Sequence, residues 1–387
     1  MFHAFSGLIC LYIVCRLVPA LPWPLAGKCL AVAALLLASQ VHLISRAFFG
    51  TIASPELPFA VIVVWGWLFG ALFLLFIFLL LKDLGALLLF ALGKATGVGL
   101  SLPVPAIYWS NALIAAALGL SAIGVWQAIR VPDVRAVEIA LDRLPAELDG
   151  LRLVQLSDLH ASRLLQGAWH REVVNETNAL NPDLILITGD LVDGTPANRA
   201  ADVAPLRDLK ARLGVLAVPG NHEYYSDYVA WMAAFDKLGL RMLSNRHVVI
   251  EDKGHALVVA GTTDRNAARF GLPPPDIGAA LSGAPKDAVT LLLAHQPREA
   301  PVNAEAGVDL QLSGHTHGGQ IAGLHFIVQK ANGGFVSGLY RVGAMRLYVS
   351  NGTGLWNGFP IRLGRPSEIT LITLRSVASG KAARRPA

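Results

Sequence analysis

Long apolar stretches dominate the first third of the chain. Residues 59–81 carry no charge and exceed the roughly 20 residues that an α-helix needs to cross a bilayer. Residues 106–129 form a second such stretch, whereas residues 29–44 are a little short and residues 5–18 are interrupted by an arginine. We therefore predict about four membrane-spanning helices, with three or five as alternatives.

From residue 150 onward, short apolar runs alternate with stretches of helical spacing. Residues 151–156 alternate as a half-buried strand does, and residues 183–188 contain the continuous apolar run of a buried strand. Helical spacing appears between these runs, in residues 164–180, and again in residues 230–238. Strands that alternate with helices predict an α/β sheet, and such sheets bind ligands at the carboxyl ends of their strands.

Residue types that bind metals follow five apolar runs, in most cases on a turn marked by glycine or proline. The five segments read S-D-L-H, G-D-L-V-D, P-G-N-H-E, A-H-Q-P and S-G-H-T-H. Their candidate functional residues are Asp158, His160, Asp190, Asn221, His222, His295, His315 and His317. Imidazole and carboxylate groups together favour Zn, Mn or Fe over Mg or Ca, which prefer oxygen ligands.

This set is too large for a single four-coordinate ion. Two ions that share one carboxylate account for every member except His222, which is then free to act as an acid. Two metal ions about 3.5–4 Å apart can clamp the attacking and leaving oxygens of a phosphoryl displacement. The residues therefore predict two divalent metal ions at one edge of the fold and a phosphoryl-transfer chemistry.

The order D-L-H, G-D-L-V-D, G-N-H-E, A-H and G-H-T-H resembles that of the calcineurin-like metallophosphoesterases. The resemblance covers residues 151–374, and S-G-H-T-H-G-G-Q-I together with S-N-G-T-G, P-I-R and P-S-E-I-T-L-I is similar to the membrane-associated bacterial branch. It implies a four-layer αββα sandwich of two mixed sheets, here preceded by the all-α transmembrane region.

The resemblance also implies roles for the individual residues. One metal would be held by Asp158, His160, Asp190 and His317, and the second by Asp190, Asn221, His295 and His315. Asp190 would bridge the two metals, and a hydroxide between them would attack phosphorus. His222 would contact the phosphate and protonate the leaving oxygen.

Two positions depart from the branch, and several neighbours have competing interpretations. Asn351 stands where the branch has an arginine, and Arg298 stands near the place of an acidic residue. Arg163 is either a phosphate contact or a solvated loop residue. We interpret Asp193 as a structural or orienting residue rather than a metal ligand. We interpret Glu223, Tyr224 and Tyr225 as wall residues. Trp356 and Phe359 are interpreted as packing residues, with an apolar rim for a lipid tail as the alternative. The other histidines are interpreted as surface or packing residues: His170, His247, His255 and His325.

Composition agrees with a protein that lies partly in lipid. The chain is 54% hydrophobic and 15% charged, against roughly 25% charged residues in ordinary soluble proteins. Its net charge is +5, but no basic run is interleaved with aromatic residues, so we expect no nucleic-acid partner. We divide the chain into a transmembrane helical anchor (1–130), a linker (131–150), the metallophosphoesterase domain (151–375) and a flexible basic tail (376–387).

The favoured hypothesis is a membrane-anchored metal-dependent phosphoesterase that hydrolyses phosphate mono- or diesters. We expect an integral protein of the bacterial cytoplasmic (inner) membrane, with a phosphorylated small-molecule or lipid substrate. One alternative is a transporter or channel with a regulatory metal-binding domain, although the spans lack the paired charges and repeats typical of transporters. A second alternative is a non-catalytic metal-binding scaffold, which the complete ligand set and His222 disfavour.

Overall fold

The computed structural model describes residues 2–51, 54–100 and 106–377, which form two units. The first unit comprises Met1–Gln127 together with Asn357–Ile361, and the second comprises Ala128–Trp356 together with Arg362–Ala387. All but the first two residues of the predicted basic tail lie outside the described residues.

The first unit is helical. Its helices are α1 (Phe2–Leu17), α2 (Leu25–Ser39), α3 (Val41–Phe49), α4 (Phe59–Thr96) and α5 (Ala106–Ile129). Three stretches, His3–Ala20, Phe59–Thr96 and Tyr108–Ile129, are long and apolar enough to cross a membrane. The pair α2 and α3, bent by 58°, makes a fourth if it is one span, so the described helices agree with the predicted number of about four.

Helix α4 is longer than the apolar stretch that predicted it. It continues past Lys82 and Asp83 to Thr96. The carboxylate of Asp83 accepts hydrogen bonds from Nε of Arg16 and from the hydroxyl of Tyr12, both at 2.7 Å. These contacts tie α1 to α4, because a charged group in apolar surroundings needs a partner of opposite charge.

Residues 357–361 pack among these helices although they are distant in sequence. Nε2 of His42 lies 2.7 Å from the carbonyl oxygen of Gly358. The ring of Phe359 contacts those of Phe69 and Phe73, with centroids 5.7 and 5.4 Å away. Phe359 is therefore a packing residue of the helical unit.

The second unit contains two mixed sheets, and the first sheet has the order β1-β12-β2-β3-β4-β5. Its strands are β1 (Val134–Leu141), β2 (Arg152–Leu156), β3 (Leu184–Ile187), β4 (Val215–Ala217), β5 (Arg241–Met242) and β12 (Ile369–Ser376). Strands β2 to β5 run parallel, and β12 lies antiparallel to β2 and parallel to β1. Strand β1 occupies much of the segment that we expected to be a linker. It forms there by pairing with β12, which lies more than 200 residues later in the chain.

The second sheet has the order β10-β11-β9-β8-β7-β6. Its strands are β6 (Arg246–Asp252), β7 (His255–Gly261), β8 (Val289–Leu293), β9 (Leu310–Ser313), β10 (Gly338–Val342) and β11 (Met345–Val349). The central strands β7, β8, β9 and β11 are parallel, and β6 and β10 are antiparallel edges.

Helices complete the outer layers: α6 (Gly167–Ala179), α7 (Pro196–Val203), α8 (Asn221–Tyr225), α9 (Tyr228–Lys237), α10 (Ile277–Ala280), α11 (Ala300–Glu305) and α12 (His325–Ala331). Alternation along β2 shows the layering, since Leu153 packs in a core shared with Leu291 of the other sheet, whereas Val154 packs with Trp231 of α9. Ala300 of α11 packs on the outer face of the second sheet. The predicted αββα architecture and the preceding helical region are thus confirmed.

Candidate metal centre

The candidate residues lie where strands of both sheets end. Asp158 and His160 follow β2, Asp190 follows β3, and Asn221 and His222 open α8 after β4. In the second sheet, His295 follows β8, and the pair His315 and His317 follows β9. Parallel strands bring their carboxyl ends to one edge, so residues from five loops meet there.

Backbone strain is concentrated at these residues. Five of them adopt positive φ angles of 46° to 69°: Asp158, His160, Asp190, His315 and His317. Non-glycine residues rarely adopt this region, and functional sites are where such conformations persist. Glycines permit the loops to approach, because a Cβ on Gly314 would overlap Oγ of Ser157, and one on Gly220 would overlap Oδ1 of Asp190.

Asp158, His160 and His317 form the first group. Each offers one ligand atom, and these atoms lie within 4.8 Å of one another. Nε2 of His317 is 3.6 Å from Oδ1 of Asp158, and the imidazoles of His160 and His317 stack with centroids 5.2 Å apart. The carboxylate of Asp158 is fixed by the backbone N–H of His315, at 3.0 and 3.1 Å, and by the Ser157 hydroxyl at 2.6 Å.

Asp190, His295 and His315 form the second group, also with ligand atoms within 4.8 Å. Nε2 of His295 lies 3.2 Å from both Oδ2 of Asp190 and Oδ1 of Asn221. The same Oδ2 of Asp190 lies 3.7 Å from Nε2 of His160 in the first group. One carboxylate oxygen therefore stands between the two groups.

His222 stands beside both groups with its ring held by Asp193. Nδ1 of His222 lies 2.5 Å from Oδ1 of Asp193, and Nδ1 of His160 lies 3.1 Å from the same oxygen. Burial lowers the pKa of His222, but the charges of Asp190 and Asp193 outweigh that effect and raise it to about 9. The imidazole is thus protonated near neutral pH, and its Nε2, 4.0 Å from Oδ2 of Asp190, faces the two groups.

The donor set fits divalent cations. Nε2 of His160 is buried without a hydrogen-bond partner, although buried polar atoms are nearly always satisfied. Burial and the charge of His295 lower the pKa of His315 to about 3. Burial and the charge of His160 lower the pKa of His317 well below its usual value. The neutral imidazoles of His315 and His317, beside buried carboxylates, are in the form in which histidine binds metal.

Glu223, interpreted from the sequence as a wall residue, holds the two loops that carry Asp190 and Asn221. Its buried carboxylate accepts four backbone N–H bonds at 2.6–3.2 Å, from Asp190, Leu191, Val192 and Gly220. Burial and the charge of Asp190 raise the pKa of Glu223 to about 7, against the effect of these donors. The G-N-H-E segment contained this residue, but no local pattern indicated its four donors.

Arg362 is a second residue whose position the sequence did not reveal. Its fully buried guanidinium donates to the carbonyl oxygens of His317, Asn351 and Gly354 at 2.7–3.1 Å. Burial lowers its pKa to about 10. Sequence patterns could not single it out, because arginines are mostly exposed unless a specific fold pairs them.

Other singled-out residues lie at the periphery. Asn351 is buried and engages Ser337 and Pro366 through its amide, and Arg163 is half-buried in the loop after His160. The ring of Trp356 lies 6.3 Å from that of His222. The remaining histidines that we interpreted as surface or packing residues contact protein groups: His170, His247, His255 and His325.

Two facing sheets with a histidine and carboxylate centre at their shared edge are the arrangement that the resemblance implied. A model of the family "Calcineurin-like phosphoesterase" matches residues 151–319. An uncharacterized metallophosphoesterase of Helicobacter pylori is 36% identical over 261 residues, which cover 67% of this chain and 68% of that protein. The chain belongs to the calcineurin-like phosphoesterase family, which confirms the resemblance.

Two animal proteins are similar over the same part of the chain. Each is described as "Transmembrane protein with metallophosphoesterase domain". The Bos taurus protein is 38% identical over 269 residues and the Danio rerio protein 36% over 265, in both cases 66% of this chain. The chain matches 60% of the length of each. Among solved structures, a 5'-nucleotidase precursor from Thermus thermophilus shares 18% identity over 58% of this chain and 55% of its own, with a TM-score of 0.38, and supports no argument about function.

Proposed function

We propose that this protein is a membrane-anchored phosphoesterase with two divalent metal ions, Mn, Zn or Fe, in the candidate centre. The observation that carries the proposal is the position of Oδ2 of Asp190. It lies 3.2 Å from Nε2 of His295 and 3.7 Å from Nε2 of His160, so one carboxylate can serve both groups.

The proposed ligands follow from the two groups. Asp158, His160, Asp190 and His317 would hold one ion. Asp190, Asn221, His295 and His315 would hold the other. Such ions supply Lewis acidity toward phosphoryl oxygens and water.

His222 is the proposed catalytic acid. Oδ1 of Asp193 accepts a hydrogen bond from Nδ1–H of His222 at 2.5 Å, which leaves Nε2–H to donate to the leaving oxygen. In the hydrolysis, the oxygen of water forms a new bond to phosphorus and the ester P–O bond breaks. The proton of His222 passes to the leaving oxygen and is replaced by one from the attacking water. A general acid of this kind contributes about 10²- to 10⁴-fold to the rate.

A pair of substrates tests this role. The full-length protein with added Mn²⁺ is assayed with a p-nitrophenyl and an ethyl phosphodiester, before and after His222→Ala. We expect the variant to lose more activity on the ethyl ester than on the p-nitrophenyl ester. The reason is that p-nitrophenolate can leave as an anion, whereas ethoxide must be protonated as it leaves. Equal losses on both esters would remove His222 from the acid role. Absence of turnover of every ester by the wild-type protein would overturn the proposed activity.

The membrane anchor supports a substrate that is itself in the membrane, such as a lipid-linked or cell-envelope phosphate ester. Three described stretches are long and apolar enough to span a bilayer, and anchoring raises the local concentration of substrates in the same membrane. Full-length protein in vesicles should hydrolyse a lipid phosphate in its own vesicle faster than one in separate vesicles. Soluble nucleotides turned over at least as well as lipid phosphates would contradict the lipid assignment.

A further inference from the structure

Beside His222, the second unit exposes two aromatic rings, Tyr225 and Phe270. Their exposed fractions are 49% and 48%, large for side chains that usually lie mostly inside a protein. The ring centroid of Tyr225 lies 5.3 Å from that of His222 and 5.9 Å from that of Phe270. The two rings therefore form a continuous apolar surface that begins at the imidazole of His222.

Helix α8 sets the position of the first ring. His222 and Tyr225 are three residues apart, a spacing that places side chains on one face of a helix. Behind them, the ring of Tyr224 is 3% exposed and stacks on that of Tyr228 at 4.4 Å. Tyr225 thus stands on a packed base rather than on a frayed loop.

A separate short element sets the position of the second ring. Phe270 is the last residue of the 3-10 helix Arg265–Phe270. The carboxylate of Asp264 accepts the N–H of Asn266 at 2.8 Å at the start of this helix, and Gly271 ends it with φ of 70°. The Tyr224 ring lies 6.3 Å from that of Phe270, so both exposed rings share one buried support.

The direction of proton transfer identifies which part of the substrate would contact this surface. Under the proposed function, on which this inference rests, His222 protonates the oxygen that leaves phosphorus. The group attached to that oxygen must then lie on the same side of the centre as His222, where Tyr225 and Phe270 are exposed. We infer that these two rings form a leaving-group subsite, which selects phosphate esters whose leaving alcohol carries an apolar body, either an aromatic ring or an alkyl chain.

Three esters with leaving alcohols of similar acidity isolate this contact from the chemistry. They are phosphate esters of ethanol, hexan-1-ol and 3-phenylpropan-1-ol, each assayed as the monoester and as the methyl diester by release of that alcohol. The full-length protein with Mn²⁺ should show a kcat/KM about tenfold higher for an apolar alcohol than for ethanol, because apolar area leaves water on binding. If kcat/KM rises more for the 3-phenylpropyl ester, the rings bind an aromatic group by stacking. If it rises more for the hexyl ester, they bind an alkyl chain.

Variants locate the contact. Phe270→Ala and Tyr225→Ala should each reduce the ratio of apolar to ethyl kcat/KM by about threefold or more. Leu339→Ala is the matched control, since Leu339 is 46% exposed on the edge strand β10, and it should keep the wild-type ratio. Equal kcat/KM for all three alcohols in the wild-type protein, or an unchanged ratio in both aromatic variants, would overturn the subsite. Hydrolysis of the ethyl ester would still support the proposed function in that case.

Discussion

Oδ1 of Asp193 lies 2.5 Å from Nδ1 of His222, so a fully buried carboxylate fixes both the orientation and the charge of the proposed acid. The same oxygen reaches Nδ1 of His160 at 3.1 Å. Asp193 therefore contacts two histidines of the centre, and its orienting role stays a prediction.

This pairing predicts the behaviour of Asp193→Asn. Burial already lowers the pKa of His222, and the charges of Asp190 and Asp193 raise it to about 9. Removing one of these charges lowers that pKa, so His222 loses its proton at a lower pH. We expect the basic limb of the kcat profile to move to lower pH, and kcat at pH 8 to fall by about tenfold for each unit by which that pKa falls below 8.

The profile is measured at saturating Mn²⁺, so that weaker metal binding by His160, which Asp193 also contacts, is compensated. Asp208→Asn changes a carboxylate that is 46% exposed and should leave the basic limb in place. An unshifted limb in Asp193→Asn would show that Asp193 does not control His222.

Metal content provides a second prediction. Chelation should abolish activity, and Mn²⁺, Zn²⁺ or Fe²⁺ should restore it, because the buried carboxylates and neutral imidazoles need a cation between them. Elemental analysis should give about two ions per chain in the wild-type protein and about one in His317→Ala, which loses a ligand of only one group. His255→Ala, a histidine 37% exposed and paired with Glu147, should keep the wild-type content. A single ion per wild-type chain would exclude the two-metal centre.

The third prediction concerns stability: substitution of the buried Glu223 should destabilise the protein, whereas the same substitution at the exposed Glu251 should not. Glu223→Gln replaces an acceptor oxygen with an NH₂ group that faces backbone N–H donors, and leaves two of the four donors without a partner. We expect the free energy of unfolding to fall by about 2–4 kcal/mol, measured by denaturant titration. The same substitution at the exposed Glu251 should change it by less than about 0.5 kcal/mol, and similar effects at both positions would contradict the positioning role.

Close packing in the helical unit gives a fourth prediction. A Cβ on Gly66 would overlap Cγ of Pro360, whereas one on Gly85, in the same helix, would meet nothing within 4 Å. Gly66→Ala should therefore destabilise the helical unit by about 1–3 kcal/mol through overpacking. Gly85→Ala should be neutral or stabilising by up to about 1 kcal/mol, because alanine favours the helix.

Thermal unfolding of the full-length protein in detergent compares the two variants. A transition of Gly66→Ala that equals that of Gly85→Ala would show that residues 357–361 do not pack against α4.

Several elements could be predicted because their signals are local. The apolar run before Thr188 predicts the buried strand β3, and the uncharged stretch after Phe59 predicts a spanning helix. The ends of both were less certain: α4 continues past Asp83 to Thr96, and the contact of Asp83 with Arg16 is one that no periodicity reports. Strand β1 was missed although Val137, Ile139 and Leu141 alternate with exposed residues, and its partner β12, the last described strand, lies far away in sequence.

The sequence by itself determined the residue types and the strand ends on which they stand, and hence the metal and phosphoryl chemistry that we propose, because each of these depends on a few neighbouring residues. Only the tertiary structure decided which side chains face one another. The pairing of β2 with β3 brings His160 within 3.7 Å of Asp190, and the stacking of the two sheets brings His160 beside His317. The fold also buries Arg362 and Glu223 against loop backbone and exposes Tyr225 next to Phe270. These relationships depend on strand order and sheet packing, which join residues far apart in sequence and leave no local pattern.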